Sequence, residues 1–142
     1  MNLSQKGDRP LSVSSNRVVL DASAILAVIY GEQGSEKLTS ELLAHSLVSS
    51  VNLAEVYSKL LAKGWEADRA WEDCRSVVDE VVPFTVEQAK VAGHLILTTR
   101  SPGLSLGDRA CLSLALENRA PIYTADRSWK NLKFELRINL IR

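Results

Sequence analysis

Short β-branched and apolar runs alternate with helical stretches along this chain of 142 residues, and this alternation constrains its fold more than any other feature. Strands are predicted over residues 18–20, 46–49, 81–84, 121–124 and 136–141. Helices are predicted over residues 24–29, 34–43, 51–63, 66–80, 85–96 and 107–116. Because parallel strands need crossover connections, the alternation predicts βαβ units: an α/β fold of three layers, αβα, with a mostly parallel sheet between two layers of helices.

A single domain is expected from length and composition, because 142 residues with 46% hydrophobic content can bury one substantial core. We predict that residues 17–142 form this domain. Residues 1–16 are polar, rich in serine and without periodicity, which favours a flexible N-terminal extension. The sequence contains neither an apolar run long enough to span a membrane nor the apolar stretch of a secretory signal, so we expect a cytoplasmic protein.

Charge is distributed unevenly along the chain, although the formal net charge is zero and does not favour binding of nucleic acid by bulk electrostatics. Most of the charged residues within residues 66–88 are acidic. Residues 119–142 are mostly basic, with Arg119, Arg127, Lys130, Lys133, Arg137 and Arg142. The basic segment either contacts phosphates or forms an ordinary solvated surface, and the sequence leaves both interpretations open.

Asp21 and Asp126 stand at the carboxyl ends of two predicted strands. In parallel α/β sheets the carboxyl ends of the strands lie along one edge, where ligands bind, so the two carboxylates are predicted to point into the same crevice. Each has an alternative role, because aspartate also caps the N-terminus of a helix by accepting hydrogen bonds from backbone N–H groups.

Glu55 and Asp108 lie on predicted helices, and each admits two interpretations. Asp108 follows Gly107 at a predicted helix start, so it either caps that helix or joins the crevice. Glu55 lies opposite the apolar stripe of its helix, facing either a cleft or solvent. Lys59, four residues further on, supports the solvent interpretation through a pair worth only about 0.2 to 0.5 kcal/mol.

Carboxylates gathered at one end of a sheet would repel one another, by about 1 kcal/mol per pair at about 4 Å in water and several-fold more near protein. A divalent cation is the natural means of neutralising them. Oxygen ligands suit the hard cations Mg²⁺ and Mn²⁺, which bind through a few carboxylates and retain waters. The sequence therefore predicts a metal site built from Asp21, Glu55, Asp108 and Asp126.

Four segments of the sequence resemble, in order, the successive blocks of the PIN domain, particularly of bacterial VapC-type toxins. They are VLDASAILAVIYGEQGSEKL, SSVNLAEVYSKLLAKG, LSLGDRACLSLALE and PIYTADRSW. The resemblance covers roughly residues 17–142. It matches the acidic residues of the family to Asp21, Glu55, Asp108 and Asp126, so no member of the acidic set is missing.

This resemblance implies a sheet with the strand order 3-2-1-4-5 and an endoribonuclease that depends on Mg²⁺ or Mn²⁺. It also implies a toxin that pairs as a homodimer and is inhibited by a small VapB-like antitoxin. Trp65, Trp71 and Tyr57 on the two middle helices either pack in the core or line a groove for that partner.

The roles expected within the site differ among the residues. Asp21 and Asp108 are expected to bind the cation directly, and Glu55 and Asp126 to bind through water or a second ion and to orient the attacking water. The supporting residues are Ser23, Thr124, Arg109 and Arg127. Both hydroxyls either position ligands or satisfy backbone groups, and both arginines either hold the scissile phosphate or form neutralising ion pairs.

Two other functional classes remain open from the sequence. A catalytically silent PIN-fold interaction module would keep the fold without the chemistry. A receiver-like domain would use an aspartate as phosphoacceptor, but receivers have an adjacent acidic pair after the first strand, whereas Leu20 precedes Asp21 here.

Overall fold

A five-stranded parallel sheet organises the protein, which a computed structural model describes over residues 16–142. Its strands are β1 (Val18–Leu20), β2 (Ser46–Ser49), β3 (Glu80–Val82), β4 (Ile122–Thr124) and β5 (Ile138–Leu140). The strand order is β3-β2-β1-β4-β5, and every neighbouring pair is parallel. The predicted α/β class and the predicted order 3-2-1-4-5 are therefore confirmed.

Within residues 16–142, six α-helices connect the strands: α1 (Ala22–Tyr30), α2 (Ser40–Leu43), α3 (Ser50–Ala62), α4 (Ala67–Val77), α5 (Val86–His94) and α6 (Leu106–Asn118). Short 3₁₀ turns add Ser35–Lys37, Leu95–Leu97 and Arg127–Trp129. All six helices begin at a side chain that accepts a hydrogen bond from a backbone N–H of the first turn. The caps are Asp21, Thr39, Ser49, Glu66, Thr85 and Ser105.

The single helix predicted over residues 34–43 is wrong. Gly34, with φ +94°, comes before the 3₁₀ turn Ser35–Lys37, and a β-carbon on it would meet the backbone of Ile141. The turn ends at Leu38, whose backbone (φ −92°, ψ 78°) is not helical. The short helix α2 then begins afresh at Thr39, because the Thr39 side chain caps it by accepting from the backbone N–H of Leu42.

Two apolar cores cover the two faces of the sheet. Val18, Leu20 and Val48 point to one face and pack with α1, α3 and α4. Val19, Leu47 and Ile122 point to the opposite face and pack with α6 and Trp129. The central strands are buried on both faces, which is why they read as continuous apolar runs rather than as alternating patterns.

Strand pairing sets the edge at which candidate functional residues meet. Leu20 on β1 is in register with Tyr123 on β4, so the next residues, Asp21 and Thr124, leave the sheet side by side. Ser49 ends β2 and caps α3 at this same edge. The carboxyl ends of three adjacent central strands therefore open onto one region of the surface.

The predicted flexible extension, residues 1–16, lies outside the described part of the chain except for Asn16. From residue 16 onward, no helix is both long enough and apolar enough to cross a membrane.

Candidate active site

Asp21 occupies the centre of the carboxyl edge, between the end of β1 and the start of α1. Its side chain is 4% exposed. Oδ1 accepts hydrogen bonds from the backbone N–H of Ala24 at 3.0 Å and from Ser23 Oγ at 2.8 Å. Oδ2 accepts from Thr124 Oγ1 at 2.7 Å. The residue is thus both a helix cap and a buried carboxylate of the crevice, so the two roles considered from the sequence are compatible.

Burial raises the pKa of Asp21 from 3.8 to about 6, because the ionised carboxylate has lost most of its hydration. Its hydrogen bonds from Thr124, Ala24 and Ser23 lower the pKa and offset part of this effect. The negative charge of Asp108 raises the pKa of Asp21 further, because a like charge disfavours the ionised carboxylate.

Ser23 and Thr124 link the ends of β1 and β4 through their hydroxyl groups. Ser23 Oγ accepts from the backbone N–H of Ala125 at 2.9 Å, and Thr124 Oγ1 accepts from the backbone N–H of Asp126 at 3.0 Å. Each hydroxyl also donates to Asp21. The two hydroxyl groups therefore fill both roles considered from the sequence: they support the Asp21 carboxylate, and they accept hydrogen bonds from backbone N–H groups.

Asp126 lies two residues beyond Thr124 and is half-buried. Its Oδ1 accepts from the backbone N–H of Ser128 at 2.9 Å and so caps the 3₁₀ turn Arg127–Trp129. Because its backbone N–H is held by Thr124, which also contacts Asp21, Asp126 is tied to the same edge of the sheet.

Asp108 sits in the first turn of α6, which begins one residue earlier than predicted and is capped by Ser105. Ser105 Oγ accepts from the backbone N–H of Asp108 at 3.1 Å, and Asp108 Oδ2 accepts from the backbone N–H of Ser105 at 3.0 Å. This reciprocal arrangement is a capping box, and Oδ1 takes no part in it.

Glu55 is half-buried on α3 and faces the start of α6. Its Oε1 accepts from Asn52 Nδ2 at 2.8 Å. Its carboxylate lies so close to Gly107 that a β-carbon there would come within 2.6 Å of Oε1. Within residues 16–142 Glu55 forms no ion pair with Lys59. The cleft interpretation is therefore correct, and the solvent interpretation is wrong.

Cys111 is fully buried on α6, and burial raises the pKa of its thiol well above the ordinary value. The negative charges of Asp21, Asp108 and Glu55 raise this pKa further, so all three carboxylates act on the same buried thiol. However, no three acidic, histidine or cysteine side chains of the described region are arranged closely enough to hold a metal ion.

Comparison with known proteins identifies the family. The sequence model of the PIN domain family matches residues 18–135. The chain belongs to the PIN domain family. No curated protein matches it.

Solved structures share the fold of this PIN domain. VapBC2 of Rickettsia felis, bound to a DNA fragment from its promoter, is 21% identical with a TM-score of 0.64, covering 85% of this chain and 96% of that one. VapC20 of Mycobacterium tuberculosis, a sarcin-ricin loop cleaving toxin, is 16% identical with a TM-score of 0.67, covering 82% and 95%. DNA-bound VapBC of Salmonella typhimurium is 16% identical with a TM-score of 0.67, covering 89% and 98%.

The donor chemistry of this PIN domain fits a hard divalent cation. All four candidate ligands are carboxylates, which suit Mg²⁺ or Mn²⁺. The ion pairs of the described region join Arg17 to Glu80, Arg69 to Asp73 and Arg142 to Glu32, so none neutralises the site. Each carboxylate is held by hydrogen bonds to neighbouring backbone, hydroxyl or amide groups. To bind one cation together, these side chains would have to move closer to one another.

Arg109 and Arg127 do not neutralise the carboxylates. Arg109 Nη1 donates to the carbonyl of Ala92 at 2.8 Å and so ties α6 to α5, while its buried Nε meets no acceptor in residues 16–142. Arg127 is exposed and belongs to none of the ion pairs in this range. Of the two roles considered for these arginines, neutralising ion pairs are therefore not formed within residues 16–142.

Asn52 and Gly107 are site residues that the sequence analysis missed. Both are buried, and both contact Glu55. The signal that was available is the position of Asn52, a polar residue beside the apolar stripe of α3 and three residues before the glutamate.

Proposed function

We propose that this PIN domain is a metal-dependent endoribonuclease that hydrolyses RNA phosphodiester bonds, and that it is the toxin of a VapBC-type toxin–antitoxin pair. The proposal is supported by the charges of Asp21, Asp108 and Glu55, all three of which raise the pKa of the Cys111 thiol, and by the tie of Asp126 to Asp21 through Thr124. None of these four acids has a cationic partner in the described region. The likeness to VapC20, a sarcin-ricin loop cleaving toxin, supports RNA as the proposed substrate class.

Asp21 and Asp108 are proposed to bind the cation directly, with Mg²⁺ or Mn²⁺ as the ion. When bound, such an ion offsets charge on the phosphodiester and lowers the pKa of a water molecule. The buried Asp21 is suited to this role because its pKa is raised by burial, so a cation would relieve an unfavourable charge. Asp108 is suited because Oδ1 lies outside the capping box.

Glu55 and Asp126 are proposed to orient the attacking water and to accept its proton, either directly or through a second ion. Both are half-buried and thus border solvent, unlike Asp21. Ser23 and Thr124 hold Asp21 in one orientation, which limits its reorganisation during the reaction.

The basic C-terminal segment is proposed to contact the RNA backbone. Its exposed cations are Arg119, Arg127, Lys130, Lys133 and Arg137, and none of them is paired with an acid within residues 16–142. Within this segment Arg127 follows Asp126 directly and is exposed, so it is the proposed contact for the scissile phosphate. Arg142 is instead paired with Glu32.

An antitoxin partner is proposed to cover the aromatic surface of α3 and α4. Trp71 is 42% exposed and packs edge-on against Tyr57, with ring centroids 5.2 Å apart. Leu61 is also exposed, at 38%. Trp65 instead pairs with Tyr30, so the three aromatic residues considered from the sequence do not form one cluster. Toxin–antitoxin complexes among the solved structures of the same fold support such a partner. We also propose that the chain forms a homodimer.

The decisive experiment is cleavage of RNA by the purified chain, freed from any co-expressed small protein. Total RNA is incubated with the protein and with Mg²⁺, Mn²⁺ or a chelator, and the products are resolved on a gel. The proposal predicts fragments with either ion and none with the chelator.

Asp108→Asn should abolish cleavage. Asp68→Asn is the matched control, because Asp68 also lies in the first turn of a helix but is exposed on α4. Cleavage that persists in Asp108→Asn at the wild-type rate would remove Asp108 from the mechanism.

Two alternatives are tested by the same assay. Intact RNA under every metal condition would favour a catalytically silent PIN-fold interaction module. A receiver-like phosphoacceptor is disfavoured by membership of the PIN domain family, and labelling of an aspartate by acetyl phosphate would be needed to revive it.

A further inference from the structure

The geometry points to Asn52 and Gly107 as positioning residues that together hold the Glu55 carboxylate against the first turn of α6. This inference rests on the proposed function, because it assigns the pair to the alignment of a proposed catalytic group. Neither residue belongs to the acidic set.

Asn52 is a polar side chain in a buried position. It is 1% exposed and shares the inner side of α3 with Leu53 and Val56. Its Nδ2 donates to Glu55 Oε1 at 2.8 Å and to the carbonyl of Gly107 at 3.0 Å. Both neighbours are acceptors, so the opposite orientation of the amide would place oxygen against oxygen, and the donor assignment follows from the contacts.

The Asn52 amide therefore connects two helices through a single nitrogen. Gly107 lies 55 positions further along the chain, one residue before Asp108. By bonding to Gly107 and Glu55 at once, Asn52 fixes the carboxylate of α3 relative to the turn of α6 that carries Asp108. A hydrogen bond to a carboxylate is stronger than one between neutral groups, which makes the amide an effective restraint.

Gly107 is required by space at this contact. A β-carbon there would lie 2.6 Å from Glu55 Oε1 and 2.7 Å from both Cδ and Oε2, and these are the three nearest atoms. Gly107 lies in a regular helical turn, where glycine is unfavourable relative to alanine, so helix propensity does not explain it. The obstructing group is the end of a flexible side chain, so an added methyl group would displace Glu55 rather than break the fold.

Asn52 has a further feature that a packing role does not explain. Its Oδ1 is buried and meets no donor in the described part of the chain. An unsatisfied buried carbonyl is unfavourable, and an apolar side chain of similar size would avoid it. The two hydrogen bonds donated by Nδ2 are what an apolar side chain could not provide, and they therefore explain why position 52 holds asparagine.

Gly107→Ala separates positioning from stability. We expect the melting temperature to stay at or above that of the wild type, because alanine favours the helix and Glu55 can move aside. We expect the dissociation constant for Mn²⁺ to rise and kcat for RNA cleavage to fall, each about 10- to 100-fold, as is usual when a group supporting a ligand is disturbed. KM for RNA should change little.

Gly93→Ala is the matched control. Gly93 is also helical, in α5, and a β-carbon there meets nothing within 4 Å. This variant should cleave RNA and bind Mn²⁺ as the wild type does. Values for Gly107→Ala within about twofold of those for Gly93→Ala would overturn the inference.

Asn52→Leu tests the donor, since leucine fills similar space without an N–H group. We expect the same loss of kcat and of Mn²⁺ affinity as in Gly107→Ala. Asn118→Leu is its control, because Asn118 also donates to a backbone carbonyl, that of Leu114, but at the far end of α6. Wild-type kinetics in folded Asn52→Leu would contradict the role of Asn52.

Nuclear magnetic resonance of the Asn52 side-chain amide gives a readout that does not depend on catalysis. Its resonances should shift in Glu55→Gln and in Gly107→Ala, and remain in place in Gly93→Ala. If the wild type cleaves no RNA, the proposed endoribonuclease function falls, while these resonances and the Mn²⁺ titration still decide the inference. If the Asn52 side-chain resonances do not shift in Glu55→Gln, the inference about Asn52 and Gly107 is overturned.

Discussion

The two halves of the candidate site hold their carboxylates by different means. On the strand side, formed by Asp21, Ser23 and Thr124, a buried carboxylate is surrounded by hydroxyl and backbone donors. On the helix side, formed by Asn52, Glu55, Gly107 and Asp108, half-buried carboxylates are held by one amide, one close contact and a capping box. Burial therefore dominates the energetics of the first half, and steric fit that of the second.

This difference teaches how one site can combine strong charge with precise alignment. The strand side concentrates an unfavourable negative charge, as the raised pKa of Asp21 shows, and so supplies a driving force for cation binding. The helix side carries acids near solvent whose energetic cost is smaller. Its role is to set the distance between α3 and α6. Four predictions, from the largest effect to the smallest, test this division.

The largest effect is expected from Asp21→Asn, which should lower kcat for RNA cleavage by at least about 100-fold. Direct ligands stabilise the transition state by several kcal/mol, and each 1.4 kcal/mol corresponds to about tenfold. Single-turnover cleavage assays with saturating Mn²⁺ provide the measurement. An Asp21→Asn protein that retains more than a tenth of the wild-type rate would show that the strand side is not the centre of the site.

The second prediction concerns the free energy of unfolding in the presence of a chelator. Because the folded pKa of Asp21, about 6, lies above its ordinary value of 3.8, the folded state binds the proton more tightly than the unfolded state. This stabilisation is fully present below pH 3.8 and is lost as pH rises through about 6, a change of about 3 kcal/mol.

Asp21→Asn isolates this contribution, since asparagine does not titrate. Urea unfolding at a series of pH values should show the variant gaining stability relative to the wild type between pH 4 and pH 8. A constant difference between Asp21→Asn and wild type across this range would contradict the assigned pKa.

The third prediction is a loss of about 1 to 3 kcal/mol of stability in Thr124→Val, measured above pH 7. The variant removes a hydrogen bond to a charged carboxylate and leaves the N–H of Asp126 without its acceptor. The pKa of Asp21 should rise further, because the Thr124 hydroxyl lowers it. Thr98→Val is the control, since Thr98 is exposed and its hydroxyl contacts only the carbonyl of Leu95 in the described chain.

The smallest effect is expected from Lys59→Ala, which should change stability by less than about 0.5 kcal/mol and leave cleavage unchanged. Lys59 is exposed and Glu55 is turned towards Gly107. Thermal unfolding and the cleavage assay measure both quantities. A loss of activity would mean that Glu55 visits the solvent-facing arrangement, and the helix side would then be less rigid than its contacts imply.

Much of the fold was predictable because the signals are local. The strands read as apolar runs, and the caps Thr85 and Asp21 are residues that favour this position for a chemical reason. The break at Leu38 did not appear in the periodicity of residues 34–43, although Thr39, which favours the N-cap position, follows it directly. Apolar periodicity indicates where helical turns form, while a single non-helical residue can divide them.

The contacts of Ser23 and Thr124 with Asp21 could be anticipated from the sequence, whereas those of Asn52 and Gly107 with Glu55 could not. The positions of Asp21 and Asp126 follow from the ends of parallel strands. The direction of the Glu55 side chain could not be predicted from the sequence. Helical periodicity places Glu55 opposite the apolar stripe, but it does not determine whether that side faces another helix or solvent. The directions of Arg109 and the contact made by Asn52 depend on α5 and α6 in the same way.

The sequence by itself determined the alternation of strands and helices, the parallel sheet and the position of Asp21 at the carboxyl end of β1, because these follow from hydrophobicity and from short-range backbone preferences. Only the tertiary structure decided which way Glu55 faces, how deeply Asp21 is buried and why position 107 holds a glycine. Those properties arise where segments far apart in the chain come into contact, and the electrostatic and steric energies at such contacts depend on distances that no local pattern contains.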